Sequence, residues 1–92
     1  MKYRSRMDIA AAILELAQNG AIKTRIMYGA FLSFPQLKEY LALLMENGML
    51  DYIKNERTYH TTERGRHFIK RYREFDAMVP KANMLTKATH QV

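Results

Sequence analysis

The sequence has no cysteine. Neither a disulfide framework nor a thiolate metal site can therefore hold the fold, and apolar packing must do so. Its three histidines, His60, His67 and His90, lack metal-ligand spacing and have no thiolates to join them in a site. Long hydrophobic runs are missing as well. The stretch Ile9 to Leu14 stops at Glu15, far short of the roughly 20 residues that span a bilayer. With Asp8 and Glu15 at its ends it does not read as the apolar part of a signal peptide. No Gly-rich phosphate loop, nucleophile with a positioned base, or carboxylate pair can be made out. These absences predict a chain that is not an enzyme, takes no cofactor or metal, and has no membrane partner. The lack of cysteine fits an intracellular location.

Acidic residues are also in deficit. Fifteen Lys and Arg face nine Asp and Glu, giving a formal charge of +6 and a pI near 9.8. Such a balance favours polyanionic partners such as nucleic acid or an anionic membrane surface. Ninety-two residues, 48% of them hydrophobic and 26% charged, suit one folded domain with a modest core.

Local signals then lay out the elements. Ser5 followed by Asp8 is a capping-box-like start, after which Ile9, Ile13, Leu16 and Ala17 repeat at helical spacing until Asn19-Gly20. Ala21-Ile22 reads as a bridging strand. Thr24 is expected to cap a short second helix through about Ala30, with Ile26, Met27 and Ala30 inward. Ser33-Phe34-Pro35-Gln36 combines a Ser cap, an early Pro and a Gln at the capping-box position. A third helix starts there, with Phe34, Leu37, Leu41, Leu44 and Met45 on one side and Gln36, Glu39, Leu43 and Glu46 facing away. Gly48 closes it as a left-handed cap.

Met49 to Lys54 and Thr58 to Thr61 read as strands of a β-hairpin around Asn55-Glu56-Arg57. Thr62 caps a last helix over 62–79, in which Phe68, Tyr72, Phe75 and Val79 follow a 4-3-4 seam before Pro80. The expected domain is 1–80, with 81–92 a flexible tail. The order helix, helix, helix, hairpin, helix is a mainly α fold with a small β-hairpin, the winged helix-turn-helix arrangement. Helices two and three would form the DNA-reading unit, and the hairpin the wing.

The segments Lys23-Thr-Arg-Ile-Met-Tyr-Gly-Ala and Leu32-Ser-Phe-Pro-Gln-Leu-Lys-Glu-Tyr-Leu resemble a family of small archaeal winged helix-turn-helix proteins. Asn47-Gly-Met-Leu and Tyr59-His-Thr-Thr-Glu-Arg-Gly extend the likeness, which covers roughly Arg4 to Phe75. The resemblance implies a DNA-binding domain, often dimeric through a C-terminal helix that forms an antiparallel coiled coil, in regulators or chromosome-associated proteins.

Several residues are candidates for contact with double-stranded DNA. Lys23, Thr24 and Arg25 stand at the start of helix two, where cations and free backbone N–H groups favour phosphate. Ser33, Gln36, Lys38, Glu39 and Tyr40 lie on the expected reading helix, where Gln pairs with adenine and Glu accepts from cytosine. Ser33 and Gln36 have an alternative role as cap residues, and Tyr40 as core. Lys54 and Arg57 stand at the wing, which in this architecture reaches the backbone or minor groove. Lys2, Arg4 and Arg6 form either a basic arm or a frayed end.

The charges Arg64, Arg66, Lys70, Arg71 and Arg73 read as the wet side of the last helix. Its seam, Phe68, Tyr72, Phe75, Met78 and Val79, is the candidate homodimer contact. Three functions stay open: a dimeric transcriptional regulator in the cytoplasm at the nucleoid, an architectural protein that coats duplex, and a protein-interaction module.

Overall fold

The computed structural model describes residues 4–79. The Lys2 and 81–92 expectations lie outside these residues, as does His90. Along the chain run α1 (Arg6–Leu16), α2 (Lys23–Gly29), α3 (Phe34–Glu46), β1 (Leu50–Ile53), β2 (Thr58–Thr61) and α4 (Glu63–Met78). This is the helix, helix, helix, hairpin, helix order expected of a winged helix.

Three of the four helices begin where local chemistry requires. At α1 the Ser5 side chain accepts from the Asp8 backbone N–H, and the Asp8 carboxylate accepts in return from the Ser5 backbone N–H at 2.8 Å. Ser33 and Gln36 repeat that reciprocal box at α3. Thr62 caps α4 by accepting from the Gly65 N–H. Each box satisfies donors that would otherwise lie free at a helix start. The second helix differs from expectation. Ile22, not Thr24, is its N-cap residue, and no side chain caps it. A helix of seven residues is too short to persist on propensity, so packing of the buried Ile26 and Ala30 holds it.

α1 is apolar nearly all round. Ile9, Ala10, Ala11, Ile13 and Leu14 are all buried, which places this helix at the centre with α2 and α4 against it. The fully buried side chains Ile13, Leu14, Ile26, Leu37, Leu50 and Ile69 come from α1, α2, α3, β1 and α4. One core thus fastens the helical elements and the first strand together. Along α4 the buried residues are Gly65 and Ile69, a stripe that the 4-3-4 count passes over. Phe68 packs on the core from its edge. Phe34 and Met45, expected on the inner side of α3, are exposed at the margins of that side.

The hairpin pairs Leu50 with Thr61, Asp51 with His60, Tyr52 with Tyr59 and Ile53 with Thr58. Its tip turns on Arg57, whose φ is +57°. An antiparallel bridge joins Ala21 to Tyr59 through two backbone hydrogen bonds of 3.0 and 2.8 Å, as the Ala21-Ile22 reading anticipates. Thr61, the buried polar side chain of the core, donates its hydroxyl to the Leu14 carbonyl at 2.6 Å. Far across the fold, the Tyr72 hydroxyl donates to the Asp8 carboxylate and ties α4 to the start of α1.

Two stability predictions follow from this packing. Alanine in place of glycine ordinarily stabilises a helix by about 1 kcal/mol. A Cβ at Gly65, however, would lie 2.4 Å from the Met49 carbonyl oxygen and 2.6 Å from Thr61 Cγ2. Gly65→Ala is therefore expected to destabilise by about 1–3 kcal/mol, read as a lowered midpoint in urea with an unchanged slope.

The second concerns pH. The Tyr72 bond, with the Ser5 backbone N–H, holds Asp8 below its ordinary 3.8. The same bond, with burial, raises Tyr72 to about 12. Asp8 stabilisation is present above the unfolded carboxylate value and is lost as pH falls through the lower folded one. Tyr72 stabilisation is present below the unfolded value of about 10 and is lost as pH rises through about 12. Tyr72→Phe should lower stability at neutral pH and flatten the alkaline limb of a pH–stability curve. An unchanged limb would show that the bond does not act in solution.

Candidate nucleic-acid interface

The N-terminal turns of α2 and α3 converge on one aromatic ring. Phe34, the first residue of α3, is 51% exposed. The Lys23 ammonium and the Lys38 ammonium each lie 5.7 Å from its ring centroid, within cation–π range. Two cations from different helices are thus brought to one apolar platform. Thr24 and Arg25 are exposed on the same short helix.

The Ser33–Gln36 capping box defines what these two residues still offer. Gln36 Oε1 accepts from the Ser33 backbone N–H at 3.0 Å and from the Ser33 hydroxyl at 3.1 Å. The Ser33 hydroxyl accepts in turn from the Gln36 backbone N–H at 3.3 Å. Both residues remain exposed, so the cap and the outward position expected for them coexist. Lys38 and Glu39 are exposed too.

Tyr40 does not join them. It is only 4% exposed, with the Arg6 guanidinium 5.2 Å from its ring centroid. Its reading as a base-contact residue is corrected: at about 100° per residue it falls on the side of α3 shared with Leu37, Leu41 and Leu44, all buried.

At the wing, Lys54 and Arg57 are exposed on the hairpin turn. Glu56 is drawn away from them. Its carboxylate accepts from the Thr58 hydroxyl at 3.1 Å and lies 3.6 Å from His60 Nε2. The N-terminal arginines are anchored on their own domain. Arg4 donates to the Ala30 carbonyl at 2.6 Å and to the Phe31 carbonyl at 3.1 Å, which braces the turn between α2 and α3. On α4, Arg66 donates to the Thr61 carbonyl at 3.1 Å and Arg73 pairs with Glu15, so part of that basic run serves internal contacts.

The aromatic component is what sequence reasoning missed. Phe34 counted as core because its angular position borders the buried side, yet at the first residue of a helix there is little of the fold behind it to pack on. Phe31, 82% exposed with φ +57°, and Tyr28 also stand out from the α2–α3 region. A non-glycine residue with positive φ in a turn that lacks glycine gives no sequence signal.

The seam residues divide. Phe68 and Tyr72 are half-buried on their own domain, while Phe75, Met78 and Val79 are exposed at the end of α4. Met7 of α1 lines the same shallow depression as Phe68, Phe75 and Met78. Among the described residues no group of histidines and carboxylates is arranged to hold a metal, and no helix is long and apolar enough to cross a membrane.

Known proteins share this architecture. A protein of Methanocaldococcus jannaschii, itself uncharacterized, is 34% identical over 80 residues, which is 85% of this chain and 80% of that protein. The crystal structure of Sso10a-2, a DNA-binding protein from Sulfolobus solfataricus, superposes with a TM-score of 0.78 at 28% identity, covering 96% of this chain and 92% of that one. Both relatives are archaeal, in keeping with the resemblance read from the helix-two and helix-three segments. A family profile described as winged helix-turn-helix matches residues 3–80, and the chain belongs to that family.

Proposed function

We propose that this protein binds double-stranded DNA as a homodimer and acts as a transcriptional regulator at the nucleoid. The observation that carries the reading is the pair of ammonium groups, Lys23 and Lys38, gathered on the Phe34 ring at the start of α3. In a winged helix this end of the third helix enters the major groove. Lys23, Thr24, Arg25 and Lys38 would hold phosphates, with Lys54 and Arg57 of the wing contacting the backbone alongside. Ser33, Gln36 and Glu39 would face base edges. The similarity to a DNA-binding protein of solved structure supports the same reading.

For the dimer, Phe75, Met78 and Val79 leave an apolar strip uncovered on α4, and a second copy of that helix would bury it. Closed twofold assembly would present two third helices to successive major grooves. An architectural role is favoured by one specific feature: the exposed side of α3 carries Glu39 and Glu46, which limits attractive base contact beyond its first turns.

Binding to a duplex measured across salt tests the class. With Lys23, Arg25, Lys38, Lys54 and Arg57 of each subunit neutralising about ten phosphates per dimer, log K should fall against log salt with a slope of about −9. Alanine at both Lys23 and Lys38 should reduce the slope by about two per subunit. Absence of duplex binding at low salt would reject DNA as the partner and leave a protein-interaction module. A large ratio of specific to random affinity distinguishes a regulator from a coating protein. Separately, Phe75→Glu is expected to give monomers in sedimentation; a dimer mass in that variant would exclude the α4 strip as the subunit contact.

A further inference from the structure

We propose that the first turn of α3 reads keto bases: the Gln36 amide donates to guanine O6 and N7 or to thymine O4, while the Phe34 ring packs on a thymine methyl. This inference rests on the duplex-binding reading above and specifies the base chemistry of that surface.

Acceptors are what this turn lacks. Glutamine recognises adenine by a paired contact, in which its oxygen accepts from the N6 amino group and its nitrogen donates to N7. Here Gln36 Oε1 already accepts twice, from the Ser33 N–H and the Ser33 hydroxyl. The Ser33 hydroxyl is likewise used both ways, donating to Gln36 Oε1 and accepting from the Gln36 N–H. What remains of Gln36 is its Nε2 donor group, which makes no hydrogen bond among the described residues. Lys23 and Lys38, whose ammonium groups lie at the Phe34 ring, are donors only.

The apolar element at this point is the Phe34 ring, about half exposed, with those two ammonium groups each 5.7 Å from its centroid. The turn therefore offers donors and one apolar face, and Glu39 is the first acceptor beyond it. In the major groove guanine presents two adjacent acceptors, and thymine an acceptor beside a methyl. Adenine presents a donor next to its acceptor, and cytosine a donor. The donors complement guanine and thymine and leave the adenine amino group unmatched, and the exposed ring complements a thymine methyl.

A random-sequence 24-base-pair duplex pool selected on the wild-type chain should enrich guanine or thymine and deplete adenine at one position, and enrich thymine at a second. Uracil in place of that thymine removes only the methyl. It should weaken wild-type binding about threefold to fourfold and leave binding by Phe34→Ala unaltered. Gln36→Glu keeps the capping oxygen and removes the donors. It should retain the thermal midpoint while losing the preference at its own position. Because the uracil substitution is made on the DNA, its outcome does not depend on any variant folding. Adenine enrichment, or equal affinity for thymine and uracil, overturns this inference while leaving duplex binding intact; enrichment of no base does the same. Failure of the wild-type chain to bind any duplex overturns the inference together with the reading it rests on.

Discussion

The hydroxyl of Thr61 is buried where α1 ends, and its bond to the Leu14 carbonyl satisfies an acceptor left free by the last turn of that helix. A polar group placed there without a partner would cost more than the bond returns. With the partner present, the end of β2 is fixed to the central helix. Its neighbour Thr62 continues the junction by donating to the Gly48 carbonyl and accepting from the Gly65 N–H. Two consecutive threonines thus join α1, the α3–β1 turn, β2 and α4. Gly65 is confined by the same junction, since the Met49 carbonyl and the Thr61 methyl occupy the space where a Cβ would stand.

From this junction the wing is set against the helices, and the helices against each other, without a disulfide. Apolar residues supply the cohesion and a few directed bonds supply the orientation. Tyr72 to Asp8 and Arg73 to Glu15 attach the upper part of α4 to α1. Beyond those bonds the end of α4 carries its apolar side chains outward.

The parts of the fold that were legible in the sequence are those decided within a few residues. The Ser5, Ser33 and Thr62 caps, the left-handed Gly48 and the hairpin turn need no distant partner, and they appear where expected. What could not be read depends on residues far apart. Tyr40 is inward, packed in the common core with the Arg6 guanidinium of α1 over its ring. Ile69 is core because α4 turns that side toward α1, although Phe68 beside it fits a repeat equally well. α2 lacks the cap that Thr24 promised because packing of Ile26 and Ala30 suffices. At the interface, the cations were legible from charge and position. The arrangement of Lys23 and Lys38 around Phe34 was not, since they lie on different helices. The commitment of the Gln36 oxygen was legible, because Ser33 and Gln36 stand at capping-box spacing.

The bridge between Ala21 and Tyr59 has a further consequence. Ala21 precedes Lys23 by two residues, and Tyr59 follows Arg57 by two. Their two mutual hydrogen bonds therefore put the cations of α2 and those of the wing on one rigid frame. Their separation acts as a gauge, set when the chain folds and not when it meets a partner. A polyanion whose charges match that spacing would meet these cations without the wing first having to be ordered against α2. One whose charges are spaced differently must itself bend to fit.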